Sequence, residues 1–307
     1  MSDKQELQAL LDKTSRTFAL SIPLLPEPTR TQVSIAYLVF RIVDTLEDAT
    51  EWGPEQRILA LEEVQRLLSL PDPRLAAACA ERWLVVPPVR HTGYLELLHA
   101  TVRVFDELEA LPRAAREQIT HCAGQSARGM IDFIRRADER SCLQLASLVD
   151  LRSYCYVVAG LVGEMLTELF VLGRPELAGV APELRRRAVA FGEGLQLVNI
   201  LKDVNSDAED GRVYLPRGVP LSEVFALARA DLAAAAEYND LLRSAGTDRG
   251  LWAFNALNAR LAAASLKLLQ TRGLGSKLTR PEVSTLRAQI LHAADEAEAP
   301  LAEASGT

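Results

Sequence analysis

Three carboxylates crowd into five residues in the stretch DTLED, Asp44–Asp48. Asp44, Glu47 and Asp48 stand at i, i+3 and i+4, so on a helix all three project from nearly one side. Like charges at that spacing weaken a helix by roughly a few tenths of a kcal/mol unless something positive neutralises them. A second stretch, DVNSD, sets Asp203 and Asp207 at i and i+4. Carboxylates with few histidines or cysteines favour a hard cation, and Mg²⁺ in particular shares itself between one or two carboxylates and a phosphate. The implied ligand is a diphosphate bridged by Mg²⁺. Arg41, Lys202 and Arg212 sit beside the acids and can hold the remaining phosphate oxygens by charge-assisted hydrogen bonds. A di-iron bundle also uses carboxylates, but the pair of Glu-x-x-His motifs it needs is not present.

Two helices must position these groups. Tyr37, Arg41, Asp44 and Asp48 follow i, i+4, i+7 and i+11 among Ile35, Leu38, Val39, Ile42, Val43 and Leu46. Gln196, Asn199, Asp203 and Asp207 follow i, i+3, i+7 and i+11 among Leu195, Leu197, Val198, Ile200, Leu201 and Val204. A helix apolar around most of its girth is usually buried. For the first helix alone, a solvated face with an Arg41–Asp44 or Arg41–Asp48 pair stands at even odds. Two such stripes, each ending in aspartates at i and i+4, point instead to helices facing across a bundle. The cleft between them would be strongly unfavourable without cations.

The rest of the chain reads as helices. Apolar residues recur at three- and four-residue spacing near 4–20, 29–50, 54–69, 92–109, 113–137, 145–171, 182–207, 221–243, 249–271 and 281–297. Breakers fall between them at Pro23–Pro28, Pro71–Pro73, Pro87–Pro88, Pro175 and Pro220. No run alternates with period two, so strands should be few or absent. The expectation is a single all-α domain over 1–307, with 1–13 and 298–307 as frayed ends. The net charge of −7 argues against nucleic acid as a partner. Four scattered cysteines signal neither a zinc site nor a disulfide framework and fit a reduced, cytoplasmic setting. The N-terminus shows no apolar leader. The apolar run Cys155–Gly163 reads as too short to span a bilayer, so a lipid substrate would be met by peripheral contact at the inner membrane face.

With these residues in view, the chain resembles the squalene/phytoene synthase family of head-to-head prenyl synthases, and the squalene synthases within it. DTLED matches the first aspartate-rich motif and DVNSD the second, followed at the expected distance by GRVYLP, Gly211–Pro216. SRTFALSIPLLP, Ser15–Pro26, resembles the N-terminal substrate-binding segment, and YCYVVAGLVGE, Tyr154–Glu164, the central catalytic helix. The resemblance implies an isoprenoid-synthase-type bundle around a deep central cavity. It implies Mg²⁺-dependent condensation of two farnesyl diphosphates to presqualene diphosphate, then NADPH-dependent rearrangement to squalene.

Carried onto this sequence, the resemblance makes Asp44, Glu47, Asp48, Asp203 and Asp207 the metal-binding acids, with Asn199 beside them. Arg41, Arg212 and Arg16 would grip diphosphate, with Ser15, Tyr37 and Lys202 nearby, and Tyr154 would steer the first half-reaction. Gln196 and Asn199 would lie beside the second substrate, and Phe18 and Phe254 would face carbocations, although an aromatic is more often plain core. The run VVAGLVG would let helices approach closely and leave room for two prenyl chains.

The departures are specific. Ser206 replaces the usual glutamate of the second motif, and Lys202 stands where arginine is common. No G-x-G-x-x-G supports NADPH, which leaves Lys277 and Arg280 as cofactor candidates in a basic loop. No C-terminal membrane anchor is seen, in keeping with a bacterial-type soluble form. The competing expectations are a family member that stops at presqualene diphosphate, or makes dehydrosqualene, hydroxysqualene or phytoene, and a non-catalytic helical lipid-binding protein.

Overall fold

Three- and four-residue periodicity becomes helix along almost the whole chain. The structure, a computed structural model, describes residues 3–15, 17–136 and 143–298. In order come α1 (Asp3–Thr14), the single turn α2 (Phe18–Ser21), α3 (Thr29–Glu47), α4 (Pro54–Ser69), α5 (Pro73–Val85), α6 (Thr92–His99), α7 (Thr101–Glu109) and α8 (Arg113–Arg135). After them lie β1 (Leu143–Gln144), α9 (Leu148–Cys155), a π-helical turn at Tyr156–Gly160, α10 (Leu161–Val171), α11 (Ala181–Glu209), β2 (Arg212–Val213), α12 (Leu221–Ser244), α13 (Arg249–Arg272) and α14 (Arg280–Glu298). The all-α class expected from the sequence is the class observed.

The two striped helices occupy the interior. On α3, Ile35, Leu38, Val39, Ile42, Val43 and Leu46 are almost wholly removed from water. Each such side chain contributes about 1.5–3 kcal/mol of transfer free energy, so their sum holds α3 against α1, α4, α6, α7, α8 and α10. On α11, Leu197, Val198, Ile200 and Leu201 are buried in the same way, and the helix packs on α10, α12 and α13. Glycines set the closeness of α10 and α11. A Cβ on Gly163 would lie 2.1 Å from the Ala188 carbonyl oxygen, and one on Gly192 would lie 2.1 Å from that of Ala159. The close approach expected of VVAGLVG is therefore real.

One small pairing matters for the site. β1 and β2 run parallel, Leu143 opposite Arg212 and Gln144 opposite Val213. This ladder ties the segment before α9 to the residues just after α11, and so brings Arg212 and Tyr214 toward α3 and α9.

Several expectations are corrected. The segment 1–13 is not a frayed end over its described part, because Leu7, Leu10 and Leu11 form a stripe that α1 buries. The proposed helix 4–20 breaks after Thr14, where the Ser15 hydroxyl accepts the Phe18 N–H at 2.9 Å and starts α2. The span 92–109 divides at Ala100, whose ψ of 8° turns the chain between α6 and α7. Helix α5 was hidden by the prolines at both its ends. Asp72 caps it by accepting the Arg74 N–H at 2.8 Å, with Pro73 in the first turn where a missing N–H is harmless. Finally, Leu148–Val171 is long and apolar enough to cross a membrane by length and composition. It packs against α3, α8 and α11, with somewhat under half of that stretch buried. Helix α14 reaches Glu298, and the remainder of the expected frayed C-terminal end lies outside the described residues.

Candidate active site

At the end of α3 the first acid group meets three arginines. Arg41 reaches Asp44, Nη1 to Oδ2 at 3.5 Å, and donates from Nε to the Tyr37 hydroxyl at 3.2 Å. Tyr37 in turn donates to the Thr14 carbonyl at 2.7 Å, so α1 fixes the far end of this chain of contacts. The Arg41 guanidinium also lies 5.4 Å from the Tyr94 ring centre. Burial pushes the Asp44 carboxyl up to about 6 against the pull of Arg41, and Asp48 adds to the rise.

Glu47 meets a second arginine. It is buried and accepts from Arg57 Nη2 at 3.3 Å. Burial, then Asp48, hold its carboxyl well above the usual range. Glu47 thus stays at the first acid group, held between Arg57 and Asp48.

Asp48 caps α3 and connects the two motifs. Arg212 donates from Nη1 to Asp48 Oδ1 at 2.6 Å and from Nη2 to Asp210 Oδ2 at 2.8 Å. On α11, burial pushes the Asp207 carboxyl up to about 6, opposed by Arg212 and reinforced by Asp203, Asp48 and Asp210. Asp48 at the end of α3 and Asp207 on α11 are thus near enough for their charges to act on one another. Asp203 is held differently. Lys202 Nζ lies 3.3 Å from its Oδ2, and Lys277 Nζ lies 2.8 Å from its Oδ1. Lys202 also donates to Asn199 Oδ1 at 2.8 Å. A cleft of about 280 Å³ opens beside Glu47, Asp48, Trp52, Arg57, Asp210 and Arg212. Its charged wall suits solvent or a small polar group, not a prenyl chain.

Tyr154 is buried next to this charge. Its hydroxyl donates to the Tyr214 hydroxyl at 2.9 Å, and the two rings stack with centres 4.5 Å apart. Phe133 meets Tyr154 edge-on at 5.2 Å. Burial raises the Tyr154 phenol well above its ordinary value, and Tyr214, Glu47 and Asp48 reinforce the rise. Tyr154 is therefore a neutral donor and acceptor, not a phenolate base. On the apolar side, Phe18 sits 5.6 Å from Tyr37 and 6.5 Å from Phe254, centre to centre. Phe254 is fully buried, whereas Phe18, Tyr37, Val158, Val162, Leu166 and Leu195 pack on the core with part of their surface open. Gln196 is half-buried one turn before Asn199.

The structure links Phe18, Tyr37, Arg41 and Asp44 in one chain of contacts along α3, and brings Asp48 and Arg212 beside Asp207 of α11, with Asp203 next to it. Ser15 acts as the start of α2, Arg16 lies outside the described residues, and Arg280 begins α14 in an exposed position. Lys277, expected at a cofactor, is engaged with the second motif. Two partners were not singled out in the sequence: Arg57 and Tyr214. Only Tyr214 carried a usable signal, as the tyrosine of GRVYLP.

Mg²⁺ fits this site as a shared ion. Among the described residues no three His, Cys, Asp or Glu side chains converge as a ready-made ligand set. The available donors are carboxylate oxygens on opposed elements, incompletely neutralised and flanked by arginines. That arrangement suits an ion that keeps waters and takes its remaining ligands from a diphosphate. Asp44, Asp48, Asp203 and Asp207 would hold it.

Comparison with known proteins follows the same line. A family model described as squalene/phytoene synthase matches residues 11–287. A squalene synthase of Candida albicans is 32% identical over 213 residues, covering 68% of this chain and 44% of the relative. The chain spans about half the length of the curated relatives it matches. A solved structure of TcSQS with the ligand BPH1237 superposes with a TM-score of 0.72 at 25% identity, covering 99% of this chain and 94% of that one. A dehydrosqualene synthase in complex with a ligand shares the fold at a TM-score of 0.59 and 20% identity, over 96% of this chain and 97% of that one.

Proposed function

We propose a reaction from one premise, that the chain belongs to the squalene/phytoene synthase family of prenyltransferase-type enzymes. The reaction is the joining of two farnesyl diphosphates to presqualene diphosphate, followed by reductive rearrangement to squalene. The observation that carries it is the Arg212 bridge from Asp48 at the end of α3 to Asp210 just after α11, beside Asp207.

Mg²⁺, when bound, would offset the charge that develops on the departing diphosphate. The chain's own groups do the rest. Arg41 and Arg212 hold phosphate oxygens in a fixed fork and orient the breaking C–O bond. The allylic cation left behind is attacked by the double bond of the second molecule. Loss of one proton then closes the cyclopropane, with one diphosphate released. Tyr154, neutral and anchored on Tyr214, orients that proton toward the leaving diphosphate, which accepts it. Phe18, Tyr37 and the half-buried aliphatic side chains of α10 and α11 supply a dry wall, since water would quench the cation to an alcohol. After a second ionisation releases the other diphosphate, the remaining cation would need a hydride, which NADPH, when bound, would supply. In this reading the enzyme works in the cytoplasm and passes its apolar product to a membrane surface.

One observation favours a shorter reaction. Lys277, a candidate for NADPH, is paired with Asp203 at 2.8 Å. A family member that ends at presqualene diphosphate or at a non-reduced product needs no such contact. The experiment is incubation of purified protein with farnesyl diphosphate and Mg²⁺, with and without NADPH, and identification of products, with geranylgeranyl diphosphate as the chain-length control. Squalene only with NADPH is expected. Presqualene diphosphate alone in both reactions would remove the reductive half, and no turnover of either substrate would remove the synthase reading.

A further inference from the structure

The two acid groups are neutralised by different kinds of cation. Asp48 is paired with Arg212, whose side chain is mostly buried and tied also to Asp210. Asp203 has a lysine on each oxygen, and one of these comes from outside its own helix. Lys277 lies in the loop between α13 and α14, and more than half of its side chain is in water. The same loop touches α11 twice more. The Gly275 N–H donates to the Leu201 carbonyl at 3.2 Å, and a Cβ on Gly275 would lie 3.0 Å from the Asn205 amide nitrogen. Gly275 has φ of +80°, a conformation that lets the loop turn against the helix without a side chain in the way.

We propose that Lys277 is a displaceable internal counter-ion of Asp203, which tethers the α13–α14 loop to the second acid pair until a divalent cation takes its place. The proposal rests on the reading of Asp203 as a metal-binding acid. A cation on Asp203 Oδ1 and an ammonium at 2.8 Å from the same oxygen repel one another, so cation binding and this ion pair oppose each other. Lys202 belongs to α11 and also holds Asn199, so it stays beside the acid. Lys277 is the group that leaves, and the loop loses one of its three contacts with α11. Linkage is reciprocal: whatever weakens the tether must tighten the cation, and the cation must loosen the loop by the same free energy. Lys277 thereby acquires a positioning role before any substrate arrives. Once released, its ammonium is free to pair with an incoming anion.

The test uses the full chain with Mn²⁺ alone as the probe. Free Mn²⁺ is measured by electron paramagnetic resonance in titrations of the wild type, Lys277→Gln and Arg113→Gln. Arg113 is a fully exposed residue of α8 whose loss makes the same change in net charge. Lys277→Gln is expected to bind Mn²⁺ roughly two- to fivefold tighter than the wild type, the range of an exposed ion pair, with Arg113→Gln close to the wild type. Hydrogen exchange at the Gly275 amide is expected to quicken on adding Mn²⁺ to the wild type, and to be quick already in Lys277→Gln. Equal affinity in Lys277→Gln and wild type overturns the proposal, as does an equal gain in Arg113→Gln. Failure of the wild type to bind Mn²⁺ alone overturns this proposal, whereas failure with inorganic diphosphate also present overturns the metal reading of the acids as well. The two failures are distinct, because in the first the wild type still binds Mn²⁺ once diphosphate is added.

Discussion

Helix α11 carries two acid clusters about three turns apart, and they have opposite characters. Toward its middle, Glu193 is buried with Asp231 of α12 around a single cation. Arg152 of α9 donates to Glu193 Oε2 at 2.9 Å and lies 3.9 Å from Asp231 Oδ1. The packing there is closed: a Cβ on Gly194 would lie 3.1 Å from the Asp231 Cβ. Burial pushes the Asp231 carboxyl up to about 6, against Arg152 and with Glu193. Toward its end, Asp203 and Asp207 stand partly in water, opposite Asp48 and beside cations that come from other elements. Carboxylate crowding is common to both clusters. Access is not. The closed cluster has room only for its own arginine and joins three helices, whereas the open one faces a second acid pair and can accept a ligand.

The largest separation between the clusters should appear in catalysis. Asp44→Asn and Asp207→Asn are each expected to lower turnover of farnesyl diphosphate by about a hundred- to thousandfold, the scale of losing one preorganised charge-stabilising group. Denaturant midpoints should move little. Equal activity in either variant would detach that acid from the clamp. The reverse is expected for Arg152→Ala. It leaves two buried carboxylates without their cation and should destabilise the fold by about 3 kcal/mol in urea unfolding, somewhat eased because the guanidinium is half in water.

The pH dependence should also divide them. Asp231 binds its proton more tightly folded than unfolded, so between about pH 4 and 6 the native state holds more protons. Its contribution therefore favours folding at the acid end of that window and is lost as pH rises through about 6. Asp231→Asn should gain stability relative to wild type on going from about pH 5 to pH 7, by about 1 kcal/mol in chemical denaturation. A flat difference would mean that Asp231 is ionised throughout. The smallest effect is expected from Ser206→Glu, which restores the usual glutamate of the second motif. Ser206 is exposed and donates to the Asp203 carbonyl at 2.9 Å, so the change should tighten Mn²⁺ with diphosphate by only about two- to fivefold in calorimetry.

How much of this was readable in the chain follows from range. The stripe Tyr37–Arg41–Asp44–Asp48 and its partner on α11 are local patterns, and both survive in three dimensions. The all-α class follows from the same periodicity. Helix α5 was lost because its middle, Ala76–Ala80, carries only small apolar residues between Leu75 and Trp83, and its Asp72–Pro73 start resembles a breaker. The Glu193–Asp231–Arg152 cluster was invisible, since its members lie on three helices and Glu193 is a lone acid within FGEGLQL. Arg57 and Glu47 form a pair that only the turn between α3 and α4 brings together. Tyr214 was present in a quoted motif, yet its contact with Tyr154 depends on the β1–β2 ladder, which no periodicity announces.

The most direct measurement is anomalous diffraction from crystals soaked with Mn²⁺ and a non-reactive thio analogue of farnesyl diphosphate. Mn²⁺ peaks are expected between the diphosphate and both acid pairs, with at least one ion on Asp44 or Asp48 and at least one on Asp203 or Asp207. Peaks confined to a single helix, or a diphosphate seated away from Arg41 and Arg212 without metal, would contradict a clamp shared by α3 and α11.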